Sequence, residues 1–209
     1  MNVRGGALVG FAALLPAALL APAVCRAQSQ LPADLAQGKI LVSPRDSPDP
    51  HFANSVILLA RYSPTGALGL MLQYKSDLSL QKVPALKSAG KRTDPVFIGG
   101  PVELPSVLML QRSQTEPPGA ALLVTGNLYL LAANTAIVSA LHDKPASDLR
   151  VFIGYSGWGP GQLESEVRRH GWYIFDYDEK LVFDPHPETL WERMVEKTSR
   201  SIARLHKPF

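Results

Sequence analysis

Val151-Phe152-Ile153-Gly154-Tyr155-Ser156-Gly157-Trp158-Gly159-Pro160-Gly161-Gln162-Leu163-Glu164-Ser165-Glu166-Val167-Arg168-Arg169-His170-Gly171-Trp172 is the stretch around which the chain is organised. The run Arg150–Ile153 at its head reads as a buried strand. Glycines then fall at 154, 157, 159 and 161. Glycine takes a positive φ without steric penalty, so this density marks a backbone that turns sharply or is closely approached. A helix is predicted from near Pro160, because proline suits a first turn and Glu164 and Glu166 favour its positive end. Leu163 and Val167, four apart, give that helix a buried stripe, and Trp158 and Trp172 are expected to close the two ends of the unit. The stretch therefore reads as strand, glycine turn, helix and strand.

Outward from it, 209 residues with 46% apolar and 19% charged content suffice for one sizeable core, and eighteen prolines argue for a loop-rich α/β or β-rich body over a helical bundle. Residues 1–27 read as a secretory leader. Arg4 supplies its positive start, Gly5 to Val24 carries no charge, and Cys25-Arg26-Ala27 puts small residues before a cut ahead of Gln28. Twenty uncharged residues approach the ~20 of a membrane span, but Pro16, Pro22 and the alanines make a weak one. Pro22-Ala23-Val24 does not suit lipidation at Cys25. Export with cleavage is the expectation, to the periplasm or the exterior; the alternatives are an uncleaved anchor, or a cytoplasmic chain if the leader is misread. Loss of Arg4 and Arg26 leaves nineteen basic and eighteen acidic residues, net +1. The basic pI near 9.0 then gives little support to nucleic-acid binding. The single cysteine leaves with the leader, which excludes disulfides, cysteine zinc sites and a cysteine nucleophile.

Residues 28–37 form a polar lead-in expected to be mobile. Gly38–Ser43 reads as a strand, Pro44–Pro50 as a loop anchored by Phe52, and Ser55–Ala60 with Ala67–Leu72 as a hairpin turning at Ser63–Gly66. Residues 73–94 are polar and Lys-rich, expected exposed, with a short helical turn around Leu86. Strands are predicted at Pro95–Ile98, Val107–Gln111, Ala121–Val124 and Leu128–Leu131, with Gly99–Val102 as a tight turn. Asn134 reads as the cap of a helix over Thr135–Leu141. Trp172–Tyr177 and Leu181–Phe183 read as strands, and a last helix runs from Pro187 to 197 with Leu190, Met194, Trp191 and Val195 inward; a basic tail, 198–209, is expected to fray.

Gly154-Tyr155-Ser156-Gly157-Trp158-Gly159-Pro160-Gly161-Gln162-Leu163-Glu164 closely resembles the signature of the YqgE/AlgH family of small bacterial proteins. Further blocks resemble it in the same order: Gly38–Pro44, Asp49–Phe52 with Ser55-Val56, Gly66–Leu70, Gly99–Val102, Val182–Asp184 and Pro187–Trp191. The resemblance implies a single α+β domain over 38–197, with a bifurcated, mostly antiparallel sheet folded into a flattened pseudo-barrel and helices packed outside. About activity it implies little beyond the label of transcriptional regulator. The chain departs from the family at polar positions. Arg61-Tyr62 stands where Glu-His is usual, Gln73-Tyr74-Lys75 where Asn-Arg-Pro is usual, and Gln111 where a strand often ends in His. A leader is a further departure from a mostly cytoplasmic family.

No catalytic, metal or cofactor constellation emerges. Ser156 follows a strand and precedes a helix, but Trp158 replaces the last glycine of a nucleophile elbow, so it reads as a turn serine; a hydrolase using it is the third reading. His51, His142, His170, His186 and His206 lack metal-ligand spacing, and Asp176, Asp178 and Glu179 read as a solvated turn. The glycines lack the Lys-Ser/Thr of a phosphate loop. The candidate ligand turn is Gly154, Tyr155, Ser156, Gly157, Trp158, Gly159, Gly161 and Gln162, where a helix N-terminus favours an anionic or hydrogen-bond-accepting ligand. The competing reading is that these groups satisfy one another and leave no cavity. Arg193, Lys197, Arg200 and Arg204 fall on one helical stripe, read as a solvated face or a docking surface for an acidic partner, a membrane surface or nucleic acid. A non-enzymatic, exported binding or accessory domain, not embedded in the membrane, is the leading expectation; a regulator or nucleic-acid binder, as the family label suggests, is the runner-up.

Overall fold

The computed structural model describes residues 32–205; the predicted leader, residues 1–27, lies outside them. In chain order the strands are β1 (Ile40–Val42), β2 (Val56–Ser63), β3 (Gly66–Met71), β4 (Lys75–Ser79), β5 (Pro95–Ile98) and β6 (Val102–Arg112). Then follow β7 (Leu122–Thr125), β8 (Leu128–Leu131), α1 (Asn134–Asp143), β9 (Leu149–Trp158) and α2 (Gln162–Arg168). The chain ends with β10 (Tyr173–Phe175), α3 (Glu179–Val182) and α4 (Leu190–Leu205). They make one sheet in the order β10-β1-β2-β3-β9-β6-β8-β7, with the β4–β5 pair branching from β9.

β9 is the point of bifurcation. Along one edge it pairs antiparallel with β6. Along the other, Val151–Ile153 pair parallel with β5 while Ser156–Trp158 pair antiparallel with β3. The switch falls at Gly154, whose φ of +66° kinks the strand where a side chain would strain it. Close approach demands the facing glycines: a Cβ on Gly99 would overlap the Gly154 carbonyl, and one on Gly100 the Tyr155–Ser156 peptide. The expected turn beginning at Gly154 is therefore a strand running on to Trp158, and the turn proper is only Gly159–Gly161.

The sheet curls into a half-barrel. Ile40 and Val42 near one end of the strand order share a buried cluster with Val124, Leu128 and Leu130 at the other, so that face is concave. Gln37 stitches the rim by donating from Nε2 to the carbonyls of Leu123 (2.7 Å) and Val124 (3.2 Å) on edge strand β7. The lead-in expected to be mobile is thus tied down from Pro32 onward, with Leu35 buried. α3 and α4 close one end of the concave face through Leu181, Val182, Leu190 and Met194. α2 covers the outside of β1–β3 through Leu163 and Val167, and α1 the outside of β6 and β8 through Ile137 and Leu141. Among the described residues no helix is long and apolar enough to cross a membrane.

Several local expectations are corrected. α2 begins at Gln162, two residues past Pro160, because left-handed Gly161 (φ +71°) precedes it. Leu181-Val182 is helical, started by Asp178, whose carboxylate accepts from the Lys180 N–H. Asn134 is the first residue of α1, after Ala133, and does not cap it. The Lys-rich stretch 73–94 buries Leu80, Val83, Leu86 and Ala89 beneath exposed lysines. α4 continues past 198 to Leu205. Asp176 and Asp178 are exposed, as a solvated turn requires, with Asp176 paired to Lys39 at the surface, whereas Glu179 opens α3 and pairs with Arg112.

Candidate functional site

Strand alternation divides the predicted ligand turn. Tyr155 and Gly157 face the concave side, while Ser156 and Trp158 face outward beneath α2. Ser156 is fully buried and donates to the Gly99 carbonyl at 3.2 Å, the hydrogen bond of a structural serine. Trp158 stacks on Phe52 at 5.4 Å and meets Trp172 edge-on at 6.0 Å. The two tryptophans therefore meet in one aromatic cluster instead of closing opposite ends of the unit. Its polar centre is Glu166. One carboxylate oxygen accepts from the indole N–H of Trp158 (2.9 Å) and of Trp172 (2.8 Å), and the other accepts from Gln162 Nε2 (3.1 Å). Gln162 Oε1 in turn accepts from the Gly159 N–H (3.1 Å).

These side chains thus satisfy one another, and none of the hollows described below is lined by Gly159, Gly161 or Gln162. Gly159 and Gly161 are exposed, and a Cβ on Gly161 would meet nothing within 4 Å. Gly99 and Gly100, in the link between β5 and β6, lie wedged against β9 with no space between.

Hollows lie elsewhere. One, of about 400 Å³, is outside the sheet between the 44–52 loop and the 169–173 turn; Asp46, Asp49, Arg169 and His170 rim a floor of Phe52 and Trp172. Two more, of about 420 and 300 Å³, flank Tyr155 at the end of the half-barrel that α3 and α4 leave uncovered, and they share Tyr155 and Leu68 as walls. Leu68 and Tyr155 are half-buried and rest on the concave core cluster. A shift in the β2–β3 register between Leu59 and Arg61 sets Arg61 directly across from Leu68, on that same concave face. The exposed Arg61 lines the smaller hollow and forms no ion pair among the described residues. Facing it, the Tyr155 hydroxyl donates to Glu103 at 3.2 Å, and Ser106 Oγ donates to the other Glu103 oxygen at 3.0 Å. Burial raises the Tyr155 phenol above its ordinary pKa, Glu103 adds to this, and Arg61 opposes it. Glu103 itself sits at φ +46° in the irregular part of β6, next to exposed Leu104.

The polar departures from the family pattern do not converge. Arg61 is at the uncovered end, while Tyr62 points outward and donates to Glu164 at 2.6 Å; burial and that contact push its phenol up to about 12. Gln73 is buried near the opposite end, spending its amide on the Val56 N–H and the Asn54 carbonyl. Gln111 is buried on the outer face of β6, its Oε1 without a hydrogen-bond partner among the described residues. Sequence reasoning missed Arg150 and the central role of Glu166. An arginine opening an apolar strand, and a carboxylate between two tryptophans, were the available signals. Among the described residues no group of three or more His, Cys, Asp or Glu could hold a metal ion.

Comparison with known proteins places these features. Residues 40–203 match a family model described as AlgH-like. A UPF0301 protein of Ruegeria pomeroyi is 32% identical over 74% of this chain and 87% of its own length. One from Caulobacter vibrioides is 32% identical over 77% and 85%. The crystal structure of a Corynebacterium diphtheriae protein superposes with a TM-score of 0.67 at 21% identity, covering 83% of this chain and 93% of that one, and so shares its fold. The solution structure of the AlgH protein from Pseudomonas aeruginosa gives 0.63 at 25% identity, covering 82% and 89%. With the bifurcated half-barrel and the glycine-dense β9–α2 unit both matched along most of its length, the chain belongs to the AlgH-like family.

Proposed function

We propose that this chain is an exported binding or accessory domain, not an enzyme, whose ligand surface is the uncovered end of the half-barrel around Tyr155. One contrast carries the reading. Ser156, Glu166 and Gln162 of the signature are spent on internal hydrogen bonds, whereas Leu68, the Tyr155 ring and Arg61, which forms no ion pair among the described residues, are left accessible over the core. The mouth of a barrel is a common place for a small ligand, and hollows of this size fall in the usual range of about 300–1,000 Å³. Export rests on the leader at 1–27 and on a sequence free of cysteine after Cys25.

Fractionation of native cells with N-terminal sequencing tests the compartment. A chain beginning near Gln28 outside the cytosol is expected; one beginning at Met1 in the cytosol overturns export and returns the regulator reading. Amide chemical shifts under titration with a panel of small organic acids, amines and nucleotides test the surface. Changes at Leu68, Tyr155 and Gly157 are expected, and changes confined to 159–164 would move the site back to the glycine turn.

A further inference from the structure

We infer that the uncovered end takes a small amphipathic monoanion: a carboxylate held by Arg61, on an apolar body lying over Leu68 and Tyr155. The inference rests on the preceding choice of surface and adds its chemistry. Charge comes first. Among the described residues lining the two hollows, Arg61 is the single cation and Glu103 the single carboxylate. Glu103 already accepts from Tyr155 and Ser106, whereas Arg61 forms no ion pair among the described residues. The open valence is therefore positive. A planar guanidinium with a fork of N–H donors matches a carboxylate in two parallel hydrogen bonds. One cation with an acid nearby disfavours a dianion such as a phosphate monoester, which calls for more positive charge.

Shape and polarity supply the rest. Away from Arg61 the apolar part of the wall is Leu68, Leu108, Pro105, Ala132 and the Tyr155 ring, with Glu103, Ser106 and Asn134 as its polar members. Gly157 explains how the ring comes to lie there: a Cβ at that position would stand 3.2 Å from Tyr155 Cε2, so glycine lets the ring lie along the strand. The bound molecule would keep its polar end beside Arg61 and exchange water for apolar contact along the rest of its length.

The test is a titration of the full exported chain followed by amide shifts and calorimetry, with octanoate, phenylacetate, octanol, octylamine and inorganic phosphate as probes. Octanoate or phenylacetate should shift Leu68, Tyr155 and Gly157, and whichever binds better tells a chain from a ring. Octanol and octylamine should bind at least about tenfold more weakly, since they forfeit the charged hydrogen bonds. Arg61→Met should weaken the carboxylates by about tenfold and leave octanol unchanged, and Arg61→Lys should fall between. Arg61 is exposed, so an unchanged melting temperature is the control for folding. If octanol or octylamine binds these amides as well as octanoate, and Arg61→Met changes nothing, the surface stands and the anion assignment is overturned. If phosphate alone shifts them, an inorganic anion replaces the amphipathic one. If no probe moves these three amides at millimolar concentration, the choice of surface itself fails.

Discussion

Arg150 and Arg61 both project from the concave face of the half-barrel, one at each end, and their surroundings differ in every respect. At the closed end Arg150 is buried, its guanidinium 4.2 Å from the centroid of Phe97, and it donates to the carbonyls of Leu72 (3.2 Å) and Asp184 (2.9 Å). Burial pulls its pKa down to about 10, opposed by the Asp184 charge, so it remains protonated at neutral pH. The Asp184 carboxylate is itself held by the His186 N–H and by Arg193. This arginine ties β9 to the segment between α3 and α4, and so holds the cover over that end. At the other end Arg61 has solvent, Leu68 and Tyr155 for company. A buried charge must be paired to be tolerated, while an exposed one is free to meet something else. The two arginines therefore separate a part of the concave face that is finished from a part that is not.

The comparison is broken most severely at the seam between the ends, where β9 changes partner. Gly100 takes φ +153°, and a Cβ there would overlap the Tyr155–Ser156 peptide, which cannot yield as a flexible side chain could. Gly100→Ala combines backbone strain with overpacking, so a loss of about 3 kcal/mol is expected, lowering Tm by roughly 6–12 °C. Calorimetry checks it, and an unchanged Tm would mean that the 99–101 link is not wedged.

Next in size is the closed end itself. Arg150→Met keeps an apolar stem against Phe97 but leaves the Leu72 and Asp184 carbonyls without their donors. A loss of about 2 kcal/mol is expected from the denaturant midpoint, since an apolar replacement recovers part of the desolvation cost of the charge. Smaller again is Glu166→Gln. With the amide oxygen kept on the two indole N–H groups, its NH2 replaces the oxygen that accepted from Gln162 Nε2, so two donors face each other there and the charge beside both indoles is lost, for about 1 kcal/mol. The fluorescence of the native state should change along with the midpoint, because both indoles are involved.

These sites also mark what the sequence could convey. The β2–β3 hairpin, the anchoring Phe52, the inward rows of the last helix and the close approach at Gly154 were legible, because period, turn residues and glycine each have a local physical cause. The run of β9 through Gly154 to Trp158 was hidden, since glycines inside a strand look like its end; the facing Gly100 explains Gly154 and the Tyr155 ring explains Gly157. Leu80 and Leu86 were masked by intervening lysines, and Leu181-Val182 was too short to reveal a period. The candidate site was half legible. Tyr155 belongs to it, but on the concave face away from the helix N-terminus. Arg61 reached that face through a register shift between Leu59 and Arg61, and such a slip leaves no trace in composition or periodicity.

A third arginine sharpens the contrast through pH. Arg92 holds Asp94 with two hydrogen bonds of 2.7 and 2.6 Å and donates to the Leu141 and Lys144 carbonyls at the end of α1. The hydrogen bond from Arg92 draws the Asp94 carboxyl below its ordinary pKa; burial opposes this, and the Arg92 charge assists. A carboxyl whose folded pKa is depressed contributes stability above its unfolded value, near 3.9, and loses that contribution as pH falls toward the folded value. The pair is part-exposed, so less than about 1 kcal/mol is at stake. Stability curves of the parent chain and Asp94→Asn should converge below about pH 4 and separate above it. Parallel curves through that window would mean that Asp94 is not the titrating group.

The smallest expected effect decides whether the two ends differ as described. Arg61→Met removes a charge that has no ion-pair partner among the described residues, and it adds an apolar side chain beside Leu68 at a half-covered end. With no hydrogen bond lost and slightly more of Leu68 shielded from water, stability should change by no more than about 0.5 kcal/mol, in either direction. The same substitution at Arg150 costs at least about four times as much, although both residues lie on the same concave face. A double variant should be additive within about 0.5 kcal/mol, since the two arginines share no partner. Should Arg61→Met instead destabilise as much as Arg150→Met, Arg61 would be holding the fold in solution. The uncovered end would then be as finished as the closed one, and its cation would no longer be available to a ligand.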